Sequence, residues 1–330
     1  MVRRRARIAL AVACLVLLLL LAPAGIVWRE SSGKVLNPRG TVADLTFSAD
    51  GSRIATITDQ GLFRVWFVET AAVQTQHAFS FGYRLRDVAI SPSLDAIAVV
   101  SSRSRLSVYS TETGDELVRL TVGDPLSDLR FSHDGRYIAT YEPDGPRIWN
   151  AHAGTLVLEP YKPSIRGRRS EEYGSVSFSR GGDILTSGYH RKPRIWSSAG
   201  RLVRELDSPE NGVVESCWSG DGDRIAVHTP GSKRLRVFGA RDGALLLELP
   251  INANAPALSA AGEFLAVSAG EKQDLHDQYT LFAVPSGRRV GSFPKSQMAF
   301  SPTAPLIAWS YGSEVHVVPL TVLGRWRHLR

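Results

Sequence analysis

Three observations in the 330-residue sequence predict an all-β chain folded as a seven-bladed propeller of four-stranded blades. The first is a segment at 47–55, F-S-A-D-G-S-R-I-A, which joins an apolar strand end to an Asp-Gly turn and a second, alternating strand. Worn copies begin at Phe47, Ile90, Phe131, Phe178, Trp218, Leu258 and Phe300, spaced by 43, 41, 47, 40, 40 and 42 residues. A period of about 40–45 residues with several short strands per copy marks a propeller blade. The second observation is a marker that stays in phase with the first. Trp66, Tyr109, Trp149, Trp196, Phe238, Phe282 and Val318 follow the seven starts at lags of 19, 19, 18, 18, 20, 24 and 18 residues. The third is a small residue, or Thr or Asp, followed by Gly, as in Thr113-Gly114, Ala153-Gly154, Ala199-Gly200, Asp242-Gly243 and Ser286-Gly287. Glycine takes positive φ without steric cost, which suits a hairpin turn. Each unit therefore reads as strand a ending near Phe-Ser, a turn, strand b, strand c ending at the aromatic, a turn, and strand d.

Taken in order, the chain opens on M-V-R-R-R-A-R, a basic stretch, and then runs from Ile8 to Trp28 for 21 residues without a charge. At 1.5 Å per residue that run is long enough for a single-pass anchor, with Trp28 at the interface. Ala22-Pro23-Ala24 also fits the cleavage site of a signal peptide, which would release a secreted or periplasmic protein near Ala24. Either way the arginines stay in the cytoplasm and the propeller lies outside, at or beyond the cytoplasmic membrane of a bacterial cell. The expected organisation is an apolar N-terminal helix or signal peptide over 1–28, a propeller over 29–320 and a basic tail over 321–330. Residues 32–40, S-G-K-V-L-N-P-R-G, resemble a strand d placed ahead of the first strand a. Since an open ring would expose a sheet edge, this segment is expected to complete the last blade, with 321–327 as the alternative.

Two copies carry insertions. The d–a connection after the third copy holds Arg166, Arg168 and Arg169, and the b–c connection of the sixth holds Glu271, Asp274, His276 and Asp277. Strand direction alternates within a blade, so both emerge on one face, and insertions on one face of a repeat array often mark a binding face. Solvated loop drift is the competing reading.

The formal charge of +7 sits at the ends: Arg3, Arg4, Arg5, Arg7, Arg325, Arg327 and Arg330 account for it, and without them basic and acidic residues balance at 32 each. No nucleic-acid groove follows from such a balance. Cys14 and Cys217 form no disulfide framework, and Cys217, beside Trp218 at a strand end, reads as a small buried hydrophobe.

The F-S-x-D-G turns at 47–51 and 131–135, W-S-G-D-G at 218–222 and the strand-c aromatics make residues 33–320 resemble a WD-repeat β-propeller. The resemblance implies a rigid scaffold for protein–protein contacts, usually without catalysis. The Trp-Asp dipeptide is absent, since Trp66 precedes Phe67, Trp149 precedes Asn150 and Trp196 precedes Ser197; the Gly-His dipeptide is missing too. Asp59, and less clearly Asp144, match the family's b–c turn aspartate.

One repeat position carries candidate chemistry. Three residues before each start stand Asp44, Asp87, Asp128, Ser175, Glu215, Ala255 and Gln297, near the beginning of the innermost strand. The four carboxylates could ring the channel mouth and hold Ca²⁺ or a basic segment, or each could cap amides of its own d–a loop. The eight histidines show no metal-ligand spacing, and no nucleophile elbow, phosphate loop or dinucleotide fingerprint occurs. The expected function is thus a non-catalytic, monomeric scaffold, free of cofactor, that binds a protein or peptide partner on its d–a/b–c face. The alternative is a lactonase-like propeller hydrolase with a divalent cation over the channel.

Overall fold

The computed structural model describes residues 33–81, 85–101, 105–123, 126, 128–160, 174–188, 191–207, 215–229, 234–251, 253–269, 278–294 and 297–320. The N-terminal segment 1–28, expected to form an apolar helix, and the basic tail 321–330 lie outside these residues. Among the described residues no helix is long and apolar enough to cross a membrane.

Seven four-stranded antiparallel sheets make up the propeller. Strands a end at Phe47, Ile90, Phe131, Phe178, Trp218, Leu258 and Phe300, the seven starts of the sequence repeat. Blade 1 shows the plan, with strands at Val42–Phe47, Arg53–Thr58, Leu62–Phe67 and Val73–Ala78. Blade 7 takes three strands from the C-terminal end, Met298–Phe300, Leu306–Tyr311 and Glu314–Pro319, and its outer strand from Lys34–Leu36. Lys34 pairs with Val317 and Leu36 with Val315, so the segment at 32–40 closes the ring as expected and hides the edge of Glu314–Pro319.

Burial divides the core by interface. The seven hydrophobic clusters each join two neighbouring blades, one cluster for every interface of the ring. Between blades 1 and 2, for example, Ile57, Phe63 and Val65 meet Ile90, Ile97 and Val99. Among the described residues the two interfaces of blade 4 are the leanest, with six buried apolar residues each against 12 between blades 2 and 3. Hydroxyls enter there instead: Ser175, Ser187 and Ser216 form a buried trio at 2.8, 2.9 and 3.1 Å.

The a–b turns explain why Ser and Gly recur. All seven are five residues long, and all seven begin with a buried serine: Ser48, Ser91, Ser132, Ser179, Ser219, Ser259 and Ser301. In five blades its hydroxyl accepts the first N–H of strand b, as from Arg53 at 3.0 Å and Tyr137 at 2.9 Å; in blade 4 Ser179 takes the N–H of Asp183, the last residue of the turn, and in blade 7 Ser301 takes that of Ala304. A buried backbone donor is thereby satisfied in each blade. Gly51 needs its positive φ of 72°, and a Cβ there would run into the hydroxyl of Thr303 in blade 7. The six c–d turns within the continuous chain are also five residues long. In five of them the expected glycine has positive φ, while Ala71 adopts φ 58° in the same place in blade 1.

Part of a hydrogen-bond framework survives without the Trp-Asp dipeptide. Trp66, Trp149 and Trp196 each donate the indole N–H to a strand-b threonine, Thr56, Thr140 and Thr186, at 3.3, 2.9 and 2.8 Å. Asp59 and Asp144 sit exposed in their b–c turns, and Asp144 reaches Arg147 at 3.7 Å. Strand c carries a second repeated feature, Arg two residues before the aromatic. Arg147, Arg194 and Arg236 pair across to Glu159, just past strand d, and to Glu205 and Glu248 of strand d. Arg147 also meets the fully buried Glu142, which accepts from Gly123 N–H and Thr140 Oγ1 at 2.7 Å each.

Candidate functional site

Strands a line the central channel, with residues three and one before each start on the channel side; they run from the d–a face to the a–b face. At the d–a end stand the carboxylates singled out from the sequence. Each turns an oxygen to a backbone N–H. Asp44 accepts from Leu45 at 2.9 Å and from Ile90 of blade 2 at 3.2 Å. Asp87 accepts from Val88 at 2.9 Å. Asp128 accepts from Leu129 and from Val176 of blade 4, both at 3.1 Å, and Glu215 accepts from Ala255 of blade 6. Ser175 continues the pattern, taking the N–H of Ser216 in blade 5 at 3.0 Å. The capped amides thus belong to strand a itself and to the neighbouring blade, not to the residue's own d–a loop. A side chain leaving the innermost strand points tangentially toward the next blade, which presents the unpaired edge of its own strand a. In blades 1, 3, 4 and 5 this position staples the blade to the next one.

Arg130 lies among these carboxylates. Its Nε is 3.0 Å from Asp128 Oδ1, and although its side chain is 64% exposed to the channel, the attraction of Asp128, followed by Asp87 and Asp44, raises the guanidinium pKa further. Asp44 and Asp87 are open to the channel on one side and enclosed by protein on the others. Enclosure pushes Asp44 up to about 7, with Arg130 opposing and Asp87 adding; it pushes Asp87 up to about 6, with Arg130 opposing and Asp128 adding. Such a cluster holds fewer than four negative charges near neutral pH, and one guanidinium already balances part of that. Burial also pushes the Cys217 thiol in the channel wall up to about 12, which keeps it protonated and unreactive as a nucleophile.

Arg130 is a residue that sequence reasoning passed over. Its repeat position, one before each start, reads Thr46, Ala89, Arg130, Ser177, Cys217, Ala257 and Ala299. Six small residues and one arginine in aligned copies is a legible signal, since the position faces the channel and only small side chains leave it open. The a–b end was passed over too. Two residues after each start stand Ala49, Pro92, His133, Arg180, Gly220, Ala260 and Pro302, small or compact except in blades 3 and 4.

A cavity of about 630 Å³ fills the channel beside blades 3 to 7, lined from Asp128, Arg130 and Glu215 at one end to His133, Phe178 and Arg180 at the other. A second, of about 270 Å³, lies between blades 3 and 4 and shares His133, Phe178 and Arg180 with the first. The loop residues singled out from the sequence, Arg166, Arg168, Arg169, Glu271, Asp274, His276 and Asp277, lie outside the described residues. No group of three or more His, Cys, Asp or Glu could hold a metal ion among the described residues.

Comparison with known proteins agrees with this architecture. No protein-family model matches the sequence. A coronin-like protein of Saccharomyces cerevisiae is 23% identical over 154 residues, which cover 45% of this chain and 22% of the yeast protein. The matched part therefore spans about a fifth of that relative's length. The β-propeller domain of Cps50 (Swd1) from Myceliophteria thermophila superposes with a TM-score of 0.64 at 14% identity, covering 87% of this chain and 98% of that one. Repeat pattern, sheet topology and these likenesses together make the chain a WD40-like propeller in fold.

Proposed function

We propose that this propeller is a non-catalytic scaffold whose d–a/b–c face binds a protein or peptide partner. The observation that carries the reading is where variation in the ring is confined. Every a–b turn, and every c–d turn in the continuous chain, has five residues. On the opposite face the b–c connections run from two to eight residues and the d–a connections from three to 15, the longest following blade 3. Connections that bear no register on the fold are free to be shaped for a partner, as in other scaffolds that carry function on loops. The charged stretches at 166–169 and 271–277 belong to the longest d–a and the longest b–c connection. The channel carboxylates support a structural role, because they are engaged with backbone amides and with Arg130. On the reading of 1–28 as anchor or signal peptide, the scaffold works outside the cytoplasm.

Photo-crosslinking from single positions tests this. A benzoylphenylalanine at 166 or 274 of the full chain in its own cells is expected to trap one partner of constant mass, and the same group at 113 or 198, in c–d turns, to trap none. Equal trapping from both faces, or none from the loops, would overturn the reading. A saturable rise in melting temperature with Ca²⁺, lost in Asp87→Asn, would shift it toward the cation-dependent hydrolase.

A further inference from the structure

The a–b end of the channel carries a second, chemically distinct site. Arg180 and His133 stand at the same repeat position in adjacent blades, close enough that Arg180 acts on the imidazole. Neither makes a hydrogen bond or an ion pair among the described residues. The nearest acid in sequence, Asp134, is committed to Ser132 Oγ at 2.6 Å and to Arg136. Deeper in the same cavity, the Trp218 indole N–H and the Ser177 hydroxyl are buried without a partner. Buried polar atoms left unpaired in a native structure call for an explanation. Here the buried unmatched atoms are an indole N–H that can only donate and a hydroxyl that can do either, and the exposed Arg180 guanidinium and half-buried His133 imidazole add donors at the mouth. The carboxylates lining the cavity, Asp128 and Glu215, stand at its other end, on the order of 15 Å away along strand a, and are already engaged.

The geometry points to an organic anion as the ligand of this mouth: a carboxylate or phosphate ester held by Arg180 and His133, with an aromatic or aliphatic body lying against Phe178 and Trp218. A planar guanidinium takes either oxyanion through two parallel hydrogen bonds, so the two head groups share one chemistry. The body is required because the wall beside Arg180 and His133 is aromatic, and a cavity of about 630 Å³ has the size of a small-molecule pocket. The lean interface between blades 3 and 4, with its side groove, leaves room for the head group to enter. Burial, and then Arg180, hold the His133 pKa below its ordinary value against the opposing attraction of Asp134, so at neutral pH Arg180 supplies the charge and the imidazole a neutral donor. This site lies on the face opposite the partner-binding loops and stands or falls without them.

The test is a titration of the full chain, labelled with ¹⁵N at the indoles of its seven tryptophans, with the Trp218 resonance assigned through Trp218→Phe. The probes are phenyl phosphate, benzoate, benzyl alcohol and inorganic phosphate. Phenyl phosphate or benzoate, whichever head group the mouth prefers, is expected to shift the Trp218 signal saturably. Arg180→Gln should weaken that binding on the order of tenfold or more, Arg180→Lys less, and Arg119→Gln on an outer strand not at all. Arg180 is exposed, so the fold tolerates its replacement. No saturable shift, a shift indifferent to Arg180→Gln, or benzyl alcohol binding as well as the anions would overturn the site. Inorganic phosphate binding as tightly as phenyl phosphate would overturn the role given to the aromatic wall.

Discussion

The two faces of the ring are made by the same strands, yet they obey different rules. On the a–b/c–d face every turn in the continuous chain has one length, and every a–b turn buries its serine. On the d–a/b–c face connection lengths range from two to 15 residues. The cause is local. An a–b turn uses its buried serine to satisfy a backbone N–H at or just before strand b and can touch the next blade, as Ala49 N–H does at Pro92 O (3.0 Å), so a residue more or less disturbs both. A d–a connection only carries the chain from an outer strand to the next inner one. Aspartates follow the same division. Asp50, in the blade 1 turn, is held at about 2 by hydrogen bonds from Ser48 and Ser52, whereas Asp44, six residues earlier at the other end of the strand, is pushed up to about 7 by enclosure. Residue type says little about charge here; position along strand a decides it.

The sharpest way to break this comparison is to put a Cβ on the rigid face. Gly51→Ala is expected to cost about 2–3 kcal/mol, from left-handed backbone strain and the collision with Thr303, read as a lower denaturant midpoint at unchanged m. Its mirror is Ala71→Gly, which relieves a left-handed alanine and should stabilise by about 1 kcal/mol. Next comes pH. Asp44 and Asp87 keep their protons in the folded chain at pH values where the unfolded chain has lost them. Their contribution is therefore fully present below the unfolded value of 3.8 and is lost as pH rises through about 6 for Asp87 and about 7 for Asp44. Asp50 has the opposite sign: its contribution is present above 3.8 and is lost as pH falls toward about 2. Chemical denaturation from pH 4 to 8 should show stability falling with pH, with a shallower slope in Asp44→Asn; an unchanged slope would mean that the channel solvates Asp44 fully. The smallest effect belongs to the variable face. Cutting the 15-residue connection after blade 3 to six residues should leave stability within about 1 kcal/mol, since closure entropy changes slowly with loop length. A larger loss would show that this connection belongs to the core.

Much of this was legible in advance. The seven strand-a ends, the aromatic position in strand c, the turn glycines and the ring-closing strand 34–36 all follow from a repeat read in phase, because each blade solves the same packing problem with the same local pattern. Asp44, Asp128 and Glu215 were legible as a repeat position but not as staples. Their amide partners, Ile90, Val176 and Ala255, are 40 to 48 residues away and come close only once the blades are arranged in a ring. The same holds for Arg130 among its carboxylates and for His133 beside Arg180. Periodicity within a blade is a short-range property that the sequence determines by itself. The contents of the channel are decided by the tertiary structure, because they depend on what seven separate strands place around one axis.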